Sequence, residues 1–167
     1  LLADHLGLEL TYVWYPRTMG FVGNTLRARL CDVVMGVVAA DELVQNTNPY
    51  YWSTFVMAVR EEDAARFADL DSPALQDARI GVVVGTPPAN LLARRGLMRN
   101  VRPYQLFNDS RVAHPIEHLI DDLVAGEIDV VLAWGPPIGY YAARADWPIT
   151  LTALAAGGCS DPAATAP

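Results

Sequence analysis

Short apolar runs alternate with helical patterns along most of this chain, and that alternation restricts the fold more than any other feature. Continuous apolar runs are typical of strands covered on both faces, and the clearest lie at 32–38, 79–84 and 128–134. The pattern predicts further strands at 8–14, 52–60, 101–107 and 149–154, and helices at 21–30, 87–95, 115–125 and 137–143. Such alternation predicts an α/β fold with mostly parallel sheets flanked by helices.

Two segments repeat one pattern, LRARLCDVVMG at 26–36 and LVAGEIDVVLAWG at 123–135. Each passes from a helix end through a turn and an acid into a Val-Val strand that ends at a glycine. The repeat has two interpretations. The first is coincidence, because unrelated αβ units converge on the same pattern. The second is a pair of similar lobes, a partial one at 1–58 and another at 59–155, followed by a disordered tail at 156–167.

Composition restricts the classes of function. All twelve basic residues are arginine, nineteen residues are acidic, and the net charge is −7. This balance argues against nucleic acid and anionic membranes and is compatible with basic partners. Hydrophobic residues make up 52% of the chain, yet no apolar run approaches the roughly eighteen residues of a membrane span. We expect the excess of hydrophobic residues to lie in buried strands or in an uncovered interface.

The chain starts with neither Met nor a signal peptide. We therefore expect it to be a fragment or a mature core.

The segment IGVVVGTPPANLL, at 80–92, predicts a buried strand that ends at Gly85 and a helix that begins at Pro87. Thr86 then falls at the N-cap. Thr86 either only caps this helix, or the helix N-terminus binds a small anion or polar group. The two prolines weaken the second interpretation because they remove two of the first N–H donors. No nucleotide-binding GxGxxG or P-loop pattern occurs.

A second strand end, in AWGPPIGYY at 133–141, places Trp134 before a Gly135-Pro-Pro turn. Ligands of open α/β sheets lie beyond the carboxyl ends of strands. Gly36, Thr86 and Trp134 all follow predicted strands. Trp134 is therefore either a ligand platform or a plug at the sheet edge.

The sequence offers little for catalysis or metal binding. In HPIEH a helix would align His114 with His118, but Pro115 places His114 before the helix and no third ligand is evident. Asp121 and Asp122 are predicted to lie on a solvated helix face. Neither cysteine neighbours a histidine, and no G-x-S-x-G pattern occurs. We therefore predict no metal, no cofactor and no enzymatic activity.

Taken in order, these motifs resemble the type II periplasmic solute-binding proteins of the amino-acid-receptor group, over about residues 1–155. The segments CDVVMGV with NPYY, IGVVVGTPP and DVVLAWGPPIGYYA look most like the solute-binding-like proteins that accompany quinoprotein (PQQ) methanol dehydrogenases. The resemblance implies a two-lobed fold, a periplasmic location and a role in maturation or activation of the dehydrogenase. The implied partners are that dehydrogenase and, as a second candidate, its cytochrome c.

The sequence departs from that family in two ways. Amino-acid receptors carry an arginine before the PYY turn that holds the ligand carboxylate. Here the loop is VVAADELVQN, with Asp41 and Glu42, and Arg17 is the only nearby cation that could compensate. The family's first strand and its C-terminal return to the first lobe are also absent. We expect an incomplete first lobe with exposed strand edges, or one that another chain completes.

The resemblance implies a ligand cleft with these candidate residues: Arg17, Gly36, Tyr50, Tyr51, Thr86, Trp134 and Gly135. The leading hypothesis is an accessory protein of a PQQ-dependent methanol dehydrogenase. The alternative is an ABC-importer binding protein that captures a small non-amino-acid ligand between its lobes. A third hypothesis, a cyclohexadienyl-type dehydratase on the same fold, lacks a convincingly placed carboxylate or general base.

Overall fold

The structure, a computed structural model, describes residues 2–16, 20–36, 44–105 and 115–154. The chain divides into two compact units, Leu1–Trp52 with Phe107–Ala113 and Ser53–Leu106 with His114–Pro167. The tail predicted at 156–167 lies outside the described residues. Along the chain, the first boundary between the two units falls between Trp52 and Ser53. The sequence pattern predicted a lobe boundary after residue 58. The assignment of lobes stays a prediction.

The second unit is built on a five-stranded mixed sheet in the order β3-β2-β4-β1-β5. Its strands are β1 (Phe55–Arg60), β2 (Ile80–Val83), β3 (Val101–Tyr104), β4 (Val130–Trp134) and β5 (Ile149–Ala153). β2 runs parallel to β3 and β4, and β1 runs antiparallel to β4 and β5. Four described strands therefore share one direction and β1 is reversed, which confirms the predicted α/β class with a mostly parallel sheet.

The helices are α1 (Leu2–Leu6) in the first unit and α2 (Pro87–Arg94), α3 (Pro115–Val124) and α4 (Gly135–Ala142) in the second. α2 packs on one face of the sheet, where Leu92 joins Met57 and Val59 in one apolar cluster. α3 and α4 pack on the other face, in a cluster that contains Val56 and Ala58. The sequence of β1 is a continuous apolar run because its side chains point alternately into the two apolar clusters.

Gly81, in the middle of β2, allows α3 to pack close to the sheet. A Cβ atom on Gly81 would lie 2.6 Å from Cδ1 of Ile128 and 2.7 Å from Cδ2 of Leu119. The side chains of Ile128 and Leu119 are both fully buried. Because cores pack at crystal-like density, a larger residue at this position would force these two buried side chains to move.

Arg60 joins β1 to the C-terminal end of α3, at the edge of the sheet opposite the carboxyl ends of β2, β3 and β4. Its Nη1 donates to the carbonyl oxygens of Leu123, at 2.7 Å, and Ile128, at 3.1 Å. Its Nη2 lies 2.7 Å from a carboxylate oxygen of Asp63. Arg60 thus links the last turn of α3, through the carbonyl of Leu123, to the residues that lead into β4, through the carbonyl of Ile128.

Asp129, the acid of the second repeated segment, is held between two arginines. Arg79 donates from its side chain to both carboxylate oxygens, at 3.0 and 2.6 Å, and Arg60 lies 3.6 Å away. Burial opposes the charged form of Asp129, but the hydrogen bonds from Arg79 outweigh it and hold the pKa below the usual value. The acid in this pattern therefore fixes the start of β4.

The described part of the first unit contains α1, a π-helix at Gly23–Arg27 within the predicted helix 21–30, and no strand. The strand predicted at 8–14 is wrong, and the described part of the one predicted at 32–38, residues 32–36, forms none. A strand exists only where a neighbour completes its ladder of backbone hydrogen bonds, and these segments have no such neighbour among the described residues. Trp14 is 89% exposed and its ring stacks on Tyr12 at 6.2 Å. Exposed apolar surface, which we expected of an incomplete lobe, is therefore present here.

Candidate functional site

The carboxyl ends of β2, β3 and β4 lie at one edge of the sheet, and the reversed strand β1 begins at that same edge, which we call the carboxyl edge. Val82 is level with Leu132, and Phe55 pairs with Trp134. Thr86, Trp134 and Gly135 therefore come together at the carboxyl edge, where ligands of open α/β sheets bind. Their role as ligand contacts stays a prediction.

The remaining predicted cleft residues lie elsewhere in the chain. Gly36, Tyr50 and Tyr51 belong to the first unit. The two tyrosines are exposed, at 66% and 58%, and Gly36 has a positive φ of 75° that favours glycine. Arg17 lies outside the described residues. Participation of these four residues in a ligand cleft stays a prediction.

Thr86 is the N-cap of α2 by position, with φ −106° and ψ 156°. Its hydroxyl does not cap the helix, however, because it donates back to the carbonyl oxygen of Val83 over 2.6 Å. The predicted N-cap position of Thr86 is therefore confirmed, but its side chain makes no capping hydrogen bond. Since its proton is already committed to the end of β2, the hydroxyl can offer a ligand only an acceptor oxygen.

The first four helical residues of α2, which follow the N-cap Thr86, offer no free N–H donor. Pro87 and Pro88 have no N–H, and the N–H groups of Ala89 and Asn90 both point to the carbonyl oxygen of Thr86, at 3.0 and 3.5 Å. Helix N-termini bind anions through unpaired N–H groups. The first turn of α2 therefore offers an anion fewer donors than an ordinary helix N-terminus.

α4 begins in the same way. Gly135 donates its N–H to the carbonyl oxygen of Thr54 over 2.9 Å, and the next two residues are Pro136 and Pro137. α2 and α4, which lie on opposite faces of the sheet, thus each begin at the carboxyl edge with a pair of prolines. We call these the double-proline starts, and together they remove or occupy the first N–H groups of both helices.

Gly135 is required by close packing at this edge. A Cβ atom there would lie 2.9 Å from the carbonyl oxygen of Thr54 and 3.2 Å from Cγ1 of Val56. The first residues of β1 therefore leave no space for a side chain at position 135. This contact accounts for the glycine without any ligand.

Trp134 ends β4 and remains 44% exposed. Val84, the residue directly after β2, lies at the same edge of the sheet and is 43% exposed. An aromatic ring beside an aliphatic side chain suits an apolar group or a flat ring. Trp134 and Val84 therefore offer apolar contact at the carboxyl edge.

Tyr104, at the end of β3, has a partner that the sequence did not indicate. Its hydroxyl donates to the carboxylate of Asp122 on α3, and Arg102 lies 3.2 Å from the same carboxylate. Burial, and then this hydrogen bond, raise the pKa of Tyr104 far above its usual value, so the phenol stays protonated. The prediction of a solvated face at Asp121 and Asp122 is wrong for Asp122 and holds for the exposed Asp121.

The described residues contain no group of three His, Cys, Asp or Glu side chains placed to hold a metal ion. His118 is exposed on α3, and His114 lies outside the described residues. Among the helices that the structure describes, none is long and apolar enough to cross a membrane.

Comparison with known proteins gives a consistent group of relatives, although no family model matches the chain. A protein named MoxJ from Methylorubrum extorquens is 24% identical over 161 residues, which cover 90% of this chain and 53% of the relative. A MoxJ from Paracoccus denitrificans is 24% identical over 165 residues, which cover 92% and 59%. The chain thus spans a little over half the length of these curated relatives.

Solved structures give the same picture. The periplasmic binding protein XoxJ from Methylobacterium extorquens AM1 has a TM-score of 0.70 and 34% identity, covering 92% of this chain and 64% of that one. MxaJ from Methlophaga aminisulfidivorans MPT has a TM-score of 0.70 and 25% identity, covering 92% and 66%. An L-arginine-bound amino acid ABC transporter substrate-binding protein from Streptococcus pneumoniae, at 20% identity and TM-score 0.63, shares the fold.

The sheet order, the helices at the carboxyl edge and these neighbours define a type II periplasmic solute-binding-like protein. Within that class, the chain is similar to the proteins named MoxJ, XoxJ and MxaJ. The family resemblance predicted from the NPYY, GTPP and DVVLAWGPP motifs is therefore confirmed.

Proposed function

We propose that this chain is a periplasmic accessory protein of a PQQ-dependent methanol dehydrogenase system, and that it acts in maturation or activation of the dehydrogenase through protein contacts. The similarity to MoxJ, XoxJ and MxaJ supports the link to methanol oxidation. The name of XoxJ, a periplasmic binding protein, supports the location. The proposed partner is the dehydrogenase, with its cytochrome c as a second candidate.

The main structural support for this proposal is the pair of double-proline starts. An amino-acid receptor must hold a carboxylate, and it does so with charged or N–H donors. In the first turns of α2 and α4, the N–H groups are replaced by proline or are already paired. In addition, the loop where the receptors have an arginine contains Asp41 and Glu42. A scaffold without these donors is better suited to contact with a protein than to capture of an amino acid.

Co-purification tests the proposal directly. We expect the tagged full chain to retain the dehydrogenase from a periplasmic extract and from a mixture of purified components. We also expect the dehydrogenase from a strain that lacks this protein to have reduced specific activity, which the reintroduced gene restores. A dehydrogenase that neither binds the chain nor loses activity in its absence would exclude an accessory role.

The second candidate function is capture of a small neutral ligand for an ABC importer. The exposed Trp134 at the carboxyl edge favours it, because an aromatic face binds sugars, alcohols and rings without needing donors. Calorimetry with neutral metabolites should then show binding that Trp134→Ala abolishes. Trp147→Ala is the matched control, since Trp147 has a similar exposure of 45% and its indole is bound to Glu62. Absence of binding across the panel would count against this function.

A further inference from the structure

A groove of about 360 Å³ opens between α3 and α4, on the outer side of these helices. None of the predicted cleft residues lines it. Ile120, which is only 3% exposed, forms part of its floor. The remaining lining residues are Glu117 and Asp121 from α3, and Tyr140, Tyr141, Arg144 and Ala145 from α4 and the residues after it.

The α3 side of the groove carries two unpaired carboxylates. Glu117 and Asp121 are one helical turn apart, so both project from the same side of α3. Both are exposed, and neither forms an ion pair or hydrogen bond within the described residues, whereas Asp122 beside them is bound to Tyr104 and Arg102. This wall is therefore negatively charged and free to accept hydrogen bonds.

The α4 side of the groove is aromatic. The rings of Tyr140 and Tyr141 meet edge to face, with centroids 5.1 Å apart. The guanidinium of Arg144 lies 3.7 Å from the centroid of the Tyr140 ring, and its Nη1 donates to the Tyr140 carbonyl at 3.2 Å. Burial, and then the charge of Glu117, raise the pKa of Tyr141. The charge of Glu117 thus acts on the second tyrosine.

We propose that this groove binds an arginine side chain from a basic segment of a partner protein, with its guanidinium between the carboxylates of Glu117 and Asp121 and the ring of Tyr141. The inference deepens the proposed function, since it supplies the contact surface of that protein partnership. A guanidinium matches both walls, because it pairs with carboxylates through parallel N–H groups and stacks on aromatic rings. Arg144 on Tyr140 already shows this stacking within the chain.

Charge supports a basic occupant. The chain has a net charge of −7, which favours encounter with a cationic segment. Arg144 is the cation that lines the groove, so it should repel a second guanidinium. Loss of the carboxylates and loss of Arg144 are therefore expected to change affinity in opposite directions.

The test uses the full chain, an oligoarginine peptide and an oligocitrulline peptide of the same length. Citrulline keeps the shape of arginine without its charge, so calorimetry should detect binding of oligoarginine alone, and this binding should weaken with added salt. The double variant Glu117→Gln/Asp121→Asn should lose about fivefold or more in affinity, as expected for two exposed ion pairs. Arg144→Gln should gain about twofold.

A matched pair of substitutions controls for net charge. Glu61 and Asp77 are exposed carboxylates elsewhere on the second unit, so Glu61→Gln/Asp77→Asn removes the same two charges. We expect this control to keep most of the affinity. An equal loss in both double variants would show non-specific attraction and would overturn the proposal, as would an Arg144→Gln variant that binds less tightly.

The outcomes also separate this inference from the proposed function. Oligoarginine binding with the expected variant pattern, but no association with the dehydrogenase, would support the groove and refute the accessory role. Association with the dehydrogenase that survives Glu117→Gln/Asp121→Asn would support the role and refute the groove. Thermal unfolding of each variant identifies any misfolded protein, and a gain in affinity for Arg144→Gln cannot arise from misfolding.

Discussion

Gly135 donates its N–H to the carbonyl oxygen of Thr54 over 2.9 Å, and a Cβ atom on Gly135 would lie 2.9 Å from that same oxygen. The hydrogen bond and the missing side chain are therefore two aspects of one close approach, between the start of α4 and the residues that lead into β1. The contact fixes the end of β4, and with it Trp134, at the carboxyl edge.

Gly135→Ala should destabilise the protein. The added methyl would meet backbone rather than a movable side chain, so we expect the free energy of unfolding to fall by about 1–3 kcal/mol. Gly139→Ala is the control, because a Cβ there meets only Cδ1 of Leu151, at 4.0 Å. Since alanine favours helices over glycine, Gly139→Ala should raise stability by up to about 1 kcal/mol. Equal unfolding midpoints in urea for the two variants would contradict the packing argument.

Arg60→Met should be among the most damaging single substitutions outside the apolar clusters. It removes donors to the carbonyls of Leu123 and Ile128 and leaves the half-buried carboxylate of Asp63 without its cation. We expect a loss of about 2–4 kcal/mol, measured by urea denaturation. Arg99→Met, at an exposed arginine for which the structure gives no contact, should change stability by less than about 0.5 kcal/mol. If Arg60→Met is equally mild, Arg60 does not anchor α3.

Asp129 should give the protein an acid-sensitive component of stability. Its pKa is lowered in the folded state, so the unfolded chain binds a proton first as the pH falls. This contribution is complete above the unfolded pKa of about 4, and it is lost as the pH falls through the lower folded pKa.

The Asp129→Asn variant tests this dependence. It should be less stable than the wild type at neutral pH, and the difference should shrink below about pH 4. Unfolding midpoints measured across this pH range will show whether it does. A difference that stays constant down to the most acid conditions would show that Asp129 does not titrate as its contacts with Arg79 require.

Thr86→Ala should cost about 1 kcal/mol, because the hydroxyl donates to the carbonyl oxygen of Val83 and that acceptor would lose its partner. Thr86→Ser keeps the hydroxyl and should recover most of the loss in thermal unfolding. If the serine variant is as unstable as the alanine variant, the Val83 hydrogen bond contributes nothing and the threonine methyl is the stabilising group.

Sequence predicted the second unit well because its elements are determined locally. β2 and α2 follow from one apolar run, one glycine and one proline, and α4 follows from the turn after Trp134. The first unit was predicted poorly because strand formation depends on a partner. Residues 8–14 have strand-like alternation, but without a neighbouring strand among the described residues that alternation leaves Tyr12 and Trp14 exposed.

The candidate site was predictable in position but not in chemistry. The rule that ligands bind at strand ends located Thr86, Trp134 and Gly135, and the structure places all three at one edge. It could not show that the Thr86 hydroxyl turns back to Val83, because such a choice depends on loop geometry. The α3–α4 groove was also missed, since its two walls are distant in sequence and only tertiary packing brings Glu117 and Tyr141 together.

The double-proline starts limit how this scaffold could be converted into an amino-acid receptor. An arginine introduced opposite the carboxyl edge would supply one half of a carboxylate site. The other half is backbone, and a change of neighbouring side chain cannot create an N–H group where the chain has Pro87 or Pro136. An arginine introduced together with replacement of one of these prolines should therefore bind an amino-acid carboxylate more tightly than either change alone.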